Sequence, residues 1–412
     1  MKACFCYIDP STGSMLFAVL MGIIGALSYM IKSWSVKLRF ILSRGKKIEV
    51  NDQKIPLVIF SDDKRYWNVF KPVCRELDSR GIDVVYMTAS SDDPALDNDM
   101  PHVSAEFIGE GNRAYARLGL LNAKILLSTT PGLDVYQWKR SKNVDFYIHM
   151  LHAANDVAAY RMFGIDYYDA ILLSGEYQVS DVRELEKIRN LPAKELVKVG
   201  IPYMDDMRNR LEEDLKNENI GAEAHNRTVL LAPSWGASSL FNVYGSELID
   251  ALINTGYNII IRPHPQSYTA EADLISNLKR KYPDSEKICW NRDNDNYDVL
   301  KKSDILISDY SGVFFDFSLV YDKPIIYSDF EYDSSPYDIW WLNKPLWTHQ
   351  VLPQIGRKLD KDNISDIKNI IDECIEDPGY AKARDEVRSQ TWEHMGEGAV
   401  RVADYIVEKL EK

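Results

Sequence analysis

Short apolar runs alternate with longer amphipathic stretches along most of this chain, and this alternation constrains the fold more than any other feature. Ten such runs lie at residues 56–60, 83–87, 124–128, 146–150, 170–174, 196–200, 228–232, 258–262, 304–308 and 324–328. Helix-like stretches such as residues 65–80 lie between them. Apolar runs rich in Val and Ile that alternate with helices are typical of βαβ units and of a parallel sheet. The pattern therefore predicts an α/β fold.

A polar segment, residues 208–227, interrupts the alternation, which then restarts. A chain of 412 residues is too long for one ordinary domain and has a suitable length for two. We therefore predict two doubly wound, Rossmann-like domains that face each other across a cleft. Their predicted boundaries are residues 49–215 and 216–412.

The N-terminal segment has a different character. Residues 12–31 contain no charged residue, and an apolar segment of this length can cross a bilayer as a helix. Basic residues without an intervening acid follow it: Lys32, Lys37, Arg39, Arg44, Lys46 and Lys47. This flank predicts a cytoplasmic orientation for the rest of the chain and can also bind anionic lipids. We predict that residues 1–48 form a single-pass membrane anchor with a basic neck; a buried core helix is the alternative.

Composition and motif spacing argue against several classes of ligand. The formal net charge of −13 does not suit a general nucleic-acid surface. The G-x-G-x-x-A pattern at residues 109–114 does not follow the first strand, as a dinucleotide site would require, and no P-loop motif occurs. Cys4 and Cys6 lack a second cysteine pair to complete a zinc site. The sequence thus predicts no metal and no cofactor.

Polar segments follow several of the predicted strands. They are Pro233-Ser234-Trp235-Gly236, Arg262-Pro263-His264-Pro265, Ser308-Asp309-Tyr310-Ser311-Gly312 and residues 151–156. Ligands of open parallel sheets bind at the carboxyl ends of the strands. Loops that only reverse the chain are built mostly from Gly, Asn, Asp and Pro, whereas these loops also contain His, Ser and Arg. The strand ends are therefore candidate binding sites.

The segment that begins at Ser308 has the features of a phosphate site. A helix that starts directly after a strand presents unpaired N–H groups and the positive end of its dipole. Ser311 can cap that helix and donate to a phosphoryl oxygen, and Gly312 permits close approach of the backbone. The alternative is that Ser308, Asp309 and Ser311 only cap the helix.

A neighbouring predicted strand ends at Arg262, and this favours the phosphate interpretation. Arg262 and His264 place basic side chains beside the serine-rich segment. Pro263 and Pro265 stiffen the loop and would hold His264 in one place.

These two motifs resemble a known family. Arg262-Pro263-His264-Pro265, followed by "SDILISDYSGVFFDFSLVYDKPII" at residues 303–326, is similar to the C-terminal domain of the CDP-glycerol glycerophosphotransferase family. The similarity extends over residues 120–340. It implies a glycosyltransferase-B-like fold of two Rossmann-like domains and a role in the synthesis of teichoic-acid-type polymers.

The first half contains a weaker counterpart of another motif of that family. The family has a Trp-His-Gly-Thr segment whose histidine is a proposed general base, and "YIHMLHAANDVAAYR" lies at the corresponding place. His152 matches the histidine, while Leu151 replaces the Trp and Ala153-Ala154 replaces Gly-Thr. The resemblance implies that His152 is the base; the alternative is a core histidine. We interpret His149, within the predicted strand, as structural.

The resemblance also implies the chemistry. Glycerol phosphate, or a related polyol phosphate, would move from a CDP-alcohol to a hydroxyl acceptor linked to the membrane, and CMP would leave. His152 and His264 would be catalytic, which makes the first domain the acceptor side and the second domain the donor side. The residues expected to hold the donor are Arg262, Ser234, Ser308, Asp309, Ser311 and Gly312.

Two other functions stay open on the sequence. One is a glycosyltransferase of the same fold that uses a nucleotide sugar for a surface polysaccharide. The other is an inactive, membrane-tethered binding subunit of a polymer assembly system. Release of CMP from a CDP-alcohol would distinguish the glycerophosphotransferase from the glycosyltransferase. Binding without turnover would indicate the binding subunit.

Overall fold

Two parallel β-sheets, one in each half of the chain, form the framework of the protein. The computed structural model describes residues 54–217, 226–293, 295–309, 311–328, 334–342 and 344–412. The predicted membrane span at residues 12–31 and its basic flank lie outside these residues. Within the described ranges, no helix combines the length and the apolar character needed to cross a membrane.

The first sheet has the strand order of a doubly wound fold. Its strands are β1 (Ile55–Ser61), β2 (Val84–Thr88), β3 (Val103–Phe107), β4 (Asn122–Ser128), β5 (Asn143–Met150), β6 (Ala170–Leu173) and β7 (Glu195–Lys198). They pair in parallel in the order β3-β2-β1-β4-β5-β6-β7. The helices of this half are α1 (Trp67–Ser79), α2 (Asn112–Leu118), α3 (Glu176–Arg189) and α4 (Pro202–Asn217).

The second sheet repeats this arrangement. Its strands are β8 (Thr228–Leu231), β9 (Asn258–Ile261), β10 (Ile288–Trp290), β11 (Ile305–Ser308), β12 (Ile325–Tyr327) and β13 (Gly356–Lys358). They pair in parallel in the order β10-β9-β8-β11-β12-β13. In both sheets the strand order reverses beside the strand that comes first in sequence, β1 or β8. Ligands of such folds bind at this reversal.

Ten further helices lie in the second half of the described chain, and the last of them packs on the first sheet. They are α5 (Leu240–Val243), α6 (Ser246–Asn254), α7 (Ser267–Ala270), α8 (Ala272–Lys281), α9 (Tyr297–Lys302), α10 (Val313–Phe315), α11 (Trp347–Ile355), α12 (Ile367–Glu376), α13 (Pro378–Thr391) and α14 (Gly398–Glu411). A π-helical turn, Asp316–Val320, follows α10 directly. Short 3-10 turns lie at Lys64–Tyr66, Pro94–Asp97, Val157–Ala159, Asp338–Trp341 and Ile364–Asp366.

Burial explains why the apolar runs become strands. The side chains of β6 and β11 are buried along the whole strand, and so are those of β1 from Leu57 to its end. A parallel sheet covered by helices on both faces requires this continuous apolar character. The prediction of an α/β fold with parallel sheets is confirmed.

A segment of the second half packs against the first half. The Asp338 backbone N–H donates to the carbonyl oxygen of Tyr160 at 2.9 Å, and the Phe163 N–H donates to Asp338 Oδ1 at 2.9 Å. The guanidinium of Arg189 pairs with the same carboxylate, in a place where both side chains are buried. Breaking a buried pair of this kind by removing one partner is costly, so these contacts hold the two halves together.

The last helix returns to the first sheet. Val402, Ala403 and Ile406 of α14 belong to the same buried cluster as Leu57 and Ile59 of β1. Helix α14 therefore completes the core of the half that contains the first sheet.

Candidate active site

The candidate site lies at the carboxyl ends of strands in both sheets. On the first sheet, Arg65 follows β1, Thr129 follows β4, and His152 follows β5. On the second sheet, Ser234 follows β8, His264 follows β9, and Asp309 follows β11. Most of these strands adjoin the reversal of strand order, as the sequence predicts for a ligand site in an open α/β sheet.

His152 is held among aromatic rings and one hydroxyl. Its Nδ1 lies 2.8 Å from Thr129 Oγ1, and its ring centroid lies 5.0 Å from that of Tyr66 and 6.3 Å from that of Tyr160. Burial lowers the pKa of His152 to about 4, and the positive charge of Arg65 lowers it further in the same direction. His152 is therefore neutral at pH 7, which is the state a proton acceptor requires.

His264 has a defined hydrogen-bond arrangement. Its Nδ1 accepts from the backbone N–H of Gln266 at 3.1 Å, so in the neutral ring the proton lies on Nε2. Burial, followed by the charge of Arg65, lowers the pKa of His264 to about 4, while Glu271 opposes the shift. The Nε2–H group is thus a neutral donor, suited to a phosphoryl oxygen.

One guanidinium acts on both histidines. His152 follows a strand of the first sheet and His264 follows a strand of the second, yet the charge of Arg65 lowers the pKa of each. Electrostatic influence of this kind falls off quickly with distance. Arg65 itself contacts residues of the first half, with Cζ 5.9 Å from the centroid of the Tyr66 ring.

A cavity of about 460 Å³ lies between the two halves. Asn155 lines it from the first half, and Thr348 lines it from the beginning of α11. The second sheet contributes three of the predicted donor-site residues to its wall: Ser234, Asp309 and Ser311. Its volume is within the range of small-molecule sites, and its polar side chains converge from several loops.

Asp309 supports the loop that forms one wall of this cavity. The carboxylate is buried, and Oδ1 accepts from the Ser234 N–H at 2.7 Å while Oδ2 accepts from the Leu240 N–H at 2.8 Å. A carboxylate that accepts two backbone N–H groups fixes the loop between them. Asp309 therefore positions Ser234, and its predicted contact with the donor stays a prediction.

Ser308 and Arg262 have partners within the fold. The Ser308 hydroxyl is buried and donates to the carbonyl oxygen of Ala232 at 2.5 Å. Arg262 donates from Nη1 to Asn291 and from Nη2 to the carbonyl oxygen of Asp293, the latter at 2.8 Å. Both side chains link neighbouring strand ends, and their roles on phosphate stay predictions. The prediction that Arg262 follows a strand neighbouring that of Ser308 is wrong, because β8 lies between β9 and β11.

Gly312 touches the first half of the protein. A Cβ atom at this position would lie 2.9 Å from Asn155 Oδ1 and 3.1 Å from Asn155 Nδ2. Because real Cβ atoms do not approach other atoms this closely, any larger residue here would displace the Asn155 side chain. The predicted close approach at Gly312 is thus made by a side chain of the protein itself.

Asp156 connects the His152 loop to α11. Its carboxylate accepts from the N–H of Trp347 at 2.5 Å, from the N–H of Thr348 at 3.0 Å and from the Thr348 hydroxyl at 2.5 Å. These are the bonds of a helix N-cap, supplied by a residue distant in the sequence. The capped helix then places Thr348 in the cavity wall.

The sequence analysis did not identify several residues of this site. Those residues are Arg65, Thr129 and Thr348; Asn155 and Asp156 lie within the candidate segment at residues 151–156, where no role was predicted for them. The strand-end rule, applied to β1 and β4, would have selected Arg65 and Thr129, because both follow strands beside the reversal of strand order. No local signal marks Thr348, whose position depends on a contact distant in sequence.

Across the described residues, no group of three or more His, Cys, Asp or Glu side chains is arranged to bind a metal ion.

The fold places the chain among two-domain proteins of the glycosyltransferase-B type. It is similar to the wall teichoic acid polymerase TagF, with a TM-score of 0.56 at 17% identity over 93% of this chain and 98% of that chain. It is also similar to a Methanocaldococcus jannaschii UDP-GlcNAc 2-epimerase, with a TM-score of 0.54 at 12% identity over 86% and 100% of the two chains. At these identities the similarity establishes the fold alone.

The sequence defines the family. The model of the CDP-glycerol:poly(glycerophosphate) glycerophosphotransferase family matches residues 161–406, and the chain belongs to that family. It is a CDP-glycerol glycerophosphotransferase-like enzyme, as the motifs indicate. A search of curated protein sequences finds no significant match. The family match includes His264 and the segment around Ser311, whereas His152 precedes it.

Proposed function

We propose that this enzyme transfers glycerol phosphate, or a related polyol phosphate, from a CDP-alcohol to a hydroxyl group of a teichoic-acid-like surface polymer, with release of CMP. The observation that carries the proposal is that polar side chains of both halves, among them Asn155, Ser234 and Ser311, line one cavity in a chain of this family. Family membership favours this donor, and a structure of the fold relative TagF was obtained after a soak with CDPG.

The proposed reaction begins on the first-sheet side. His152 Nδ1 faces the Thr129 hydroxyl, so a proton on Nδ1 would leave Nε2 as the base. The acceptor oxygen attacks the β-phosphorus, and its proton passes to His152 Nε2. The bond between the β-phosphorus and the bridging oxygen breaks, and CMP departs with that electron pair.

The donor would be held on the second-sheet side. His264 Nε2–H and the hydroxyls of Ser234 and Ser311 are the proposed donors to the phosphate oxygens. Groups of this kind stabilise negative charge as it develops on the phosphoryl oxygens. On this assignment, the predicted domain of residues 49–215 forms the acceptor side together with α14, whose side chains pack into its core, and the rest of the predicted domain of residues 216–412 forms the donor side.

The proposal includes attachment to the membrane, where the acceptor would be located. Residues 12–31 would cross the bilayer, and the basic residues after them would bind anionic lipids on the cytoplasmic side. A variant that lacks residues 1–47 should leave the membrane fraction and keep its folded circular dichroism spectrum. A folded variant that stays in the membrane fraction would contradict this part of the proposal.

Donor screening tests the proposed function. CDP-glycerol at about one hundred times its dissociation constant should stabilise the protein by about 2.7 kcal/mol, and turnover should release CMP. Turnover of a nucleotide sugar instead would identify a glycosyltransferase. Tight donor binding without turnover, in the presence of membrane-linked acceptors, would identify a binding subunit.

A further inference from the structure

Arg65 is fixed at one end and unpartnered at the other. It follows β1 in the turn Lys64–Tyr66, where Asp63 Oδ1 accepts from its backbone N–H at 2.9 Å and from its Nε at 2.9 Å. Among the residues that the structure describes, Nη1 and Nη2 have no hydrogen-bond partner. The side chain is 40% exposed, so these two groups remain accessible to a ligand.

The guanidinium lies beside the proposed base. Its Cζ is 5.9 Å from the centroid of the Tyr66 ring, and that ring lies 5.0 Å from the ring of His152. Arg65 therefore belongs to the first half of the site, although its charge also acts on His264 of the second half.

The described residues that are assigned to the donor include no free positive charge. A CDP-alcohol carries a charged diphosphate, but both histidines have a pKa of about 4 and are neutral at pH 7. Arg262 is the cation among the predicted donor residues, and its two terminal nitrogens already bond to Asn291 and Asp293. A cation from elsewhere is needed to balance the diphosphate.

We propose that Arg65 binds the β-phosphate of the donor from the first-sheet side of the cleft. This inference rests on the proposed function. A guanidinium presents a planar pair of N–H donors that matches two phosphoryl oxygens. The contact would make donor binding depend on both halves of the protein, with the transferred phosphate lying between His152 and His264.

Binding of a phosphate to Arg65 would also change the pKa of the proposed base. A phosphate paired with Arg65 offsets the charge that helps to lower the pKa of His152 and His264. Donor binding would therefore raise the pKa of both histidines toward the ordinary range. A base with a pKa nearer to the working pH accepts a proton more efficiently.

The test compares nucleotides with and without the β-phosphate. Titration calorimetry would measure the affinity of CDP-glycerol and of CMP for the wild type, Arg65→Gln and Arg65→Lys. Arg65→Gln should weaken CDP-glycerol binding about ten- to more than a hundredfold, because a charge-assisted hydrogen bond is lost, and should leave CMP binding nearly unchanged. Arg65→Lys should retain part of the affinity. Arg280→Gln, at an exposed arginine of α8, is the matched control and should bind as the wild type does.

The outcomes separate this inference from the proposed function. Failure of the wild type to bind CDP-glycerol would overturn the proposed function. Tight binding by the wild type and equally tight binding by Arg65→Gln would overturn the role of Arg65 alone. An equal loss of CDP-glycerol and CMP affinity would also overturn it, since it would indicate a general disturbance of the site. If Arg65→Gln does not fold, the same comparison with Arg65→Lys decides the question.

Discussion

Gly312 and Asn155 meet across the cleft, so that a single methyl group on the glycine would lie 2.9 Å from the Asn155 amide oxygen. The Asn155 backbone is held by the bond that its carbonyl oxygen accepts from Gln178 Nε2 at 2.9 Å, so relief of the contact requires rotation of the Asn155 side chain. The two loops that carry these residues also line the cavity, through Asn155 and Ser311. The spacing between the halves at this point therefore sets the width of the proposed donor site.

Gly312→Ala should lower both stability and donor affinity, since the new Cβ displaces Asn155. Asn155→Ala removes the colliding atoms, so the double variant should recover part of the loss. We expect a coupling energy of about 0.5–3 kcal/mol from urea unfolding of the four proteins. Gly119→Ala is the matched control, because the nearest atom to its new Cβ is 3.5 Å away. Additive effects of Gly312→Ala and Asn155→Ala would show that the contact is not tight.

His152→Ala should lower turnover about a hundred- to ten-thousandfold while leaving CDP-glycerol affinity nearly unchanged, if His152 is the base. The structure changes the pH dependence expected from an ordinary histidine. Because the pKa of His152 is lowered to about 4, the acidic limb of kcat/KM, which reports the free enzyme, should fall near pH 4.

The pH profile distinguishes a base from a core histidine. Removal of a base eliminates the acidic limb, whereas removal of a core histidine lowers the melting temperature and keeps the limb. CMP release within about tenfold of the wild-type rate, at saturating donor and acceptor, would exclude the catalytic role.

His149 should make the protein less stable as the pH falls. It is buried in β5, its Nε2 lies 3.2 Å from the Tyr160 hydroxyl, and burial lowers its pKa from 6.5 to about 3. Between these values the unfolded chain binds a proton that the folded chain does not bind. Stability therefore rises with pH across this window, with a contribution of about 1.4 kcal/mol per pH unit.

The variant His149→Phe isolates this contribution. Its free energy of unfolding, measured in urea at several pH values between 4 and 6.5, should have a shallower pH slope than that of the wild type. Asp316 and Asp338 have pKa values raised to about 6 and act in the opposite direction, but they are present in both proteins and cancel in the difference. Identical slopes would contradict the prediction.

Asp156→Ala should destabilise the protein and weaken donor binding together. The loss of an N-cap costs about 0.5–2 kcal/mol, and the freed end of α11 would no longer hold Thr348 in the cavity wall. Asp377→Ala removes a comparable cap, the 2.7 Å bond to the Gly379 N–H at the start of α13. We expect this control to lower the urea midpoint without affecting CDP-glycerol affinity. Equal effects of both variants on affinity would exclude a specific role for Asp156.

Ten strands could be predicted because the sheets are parallel and covered on both faces. Such strands are apolar along their whole length, as in β11, where every residue is buried. The strands β3, β10 and β13 were not predicted, and all three lie at sheet edges. Their sequences are short or polar, as in Gly356–Lys358, because an edge strand is buried less completely. Pairing with a neighbouring strand, rather than local composition, determines their structure.

The sequence predicted those residues of the candidate site that directly follow strands. It predicted less well the residues whose positions depend on contacts between segments distant in sequence. His264, Asp309 and Ser311 come from loops that the sequence marks clearly. The bond from Ser308 to Ala232 and the cap that Asp156 gives to α11 join residues that no local pattern connects. Such pairs become visible only when the strand order is known.

The return of α14 to the first sheet determines when this protein can finish folding as it is synthesised. Val402, Ala403 and Ile406 fill part of the core around Leu57 and Ile59, so the first sheet receives these apolar side chains only after the second sheet has been synthesised. Until then the part of that core that α14 covers stays exposed, and exposed apolar surface of this kind promotes aggregation. A nascent chain interrupted before α14 would therefore carry a complete second sheet and an unfinished first one.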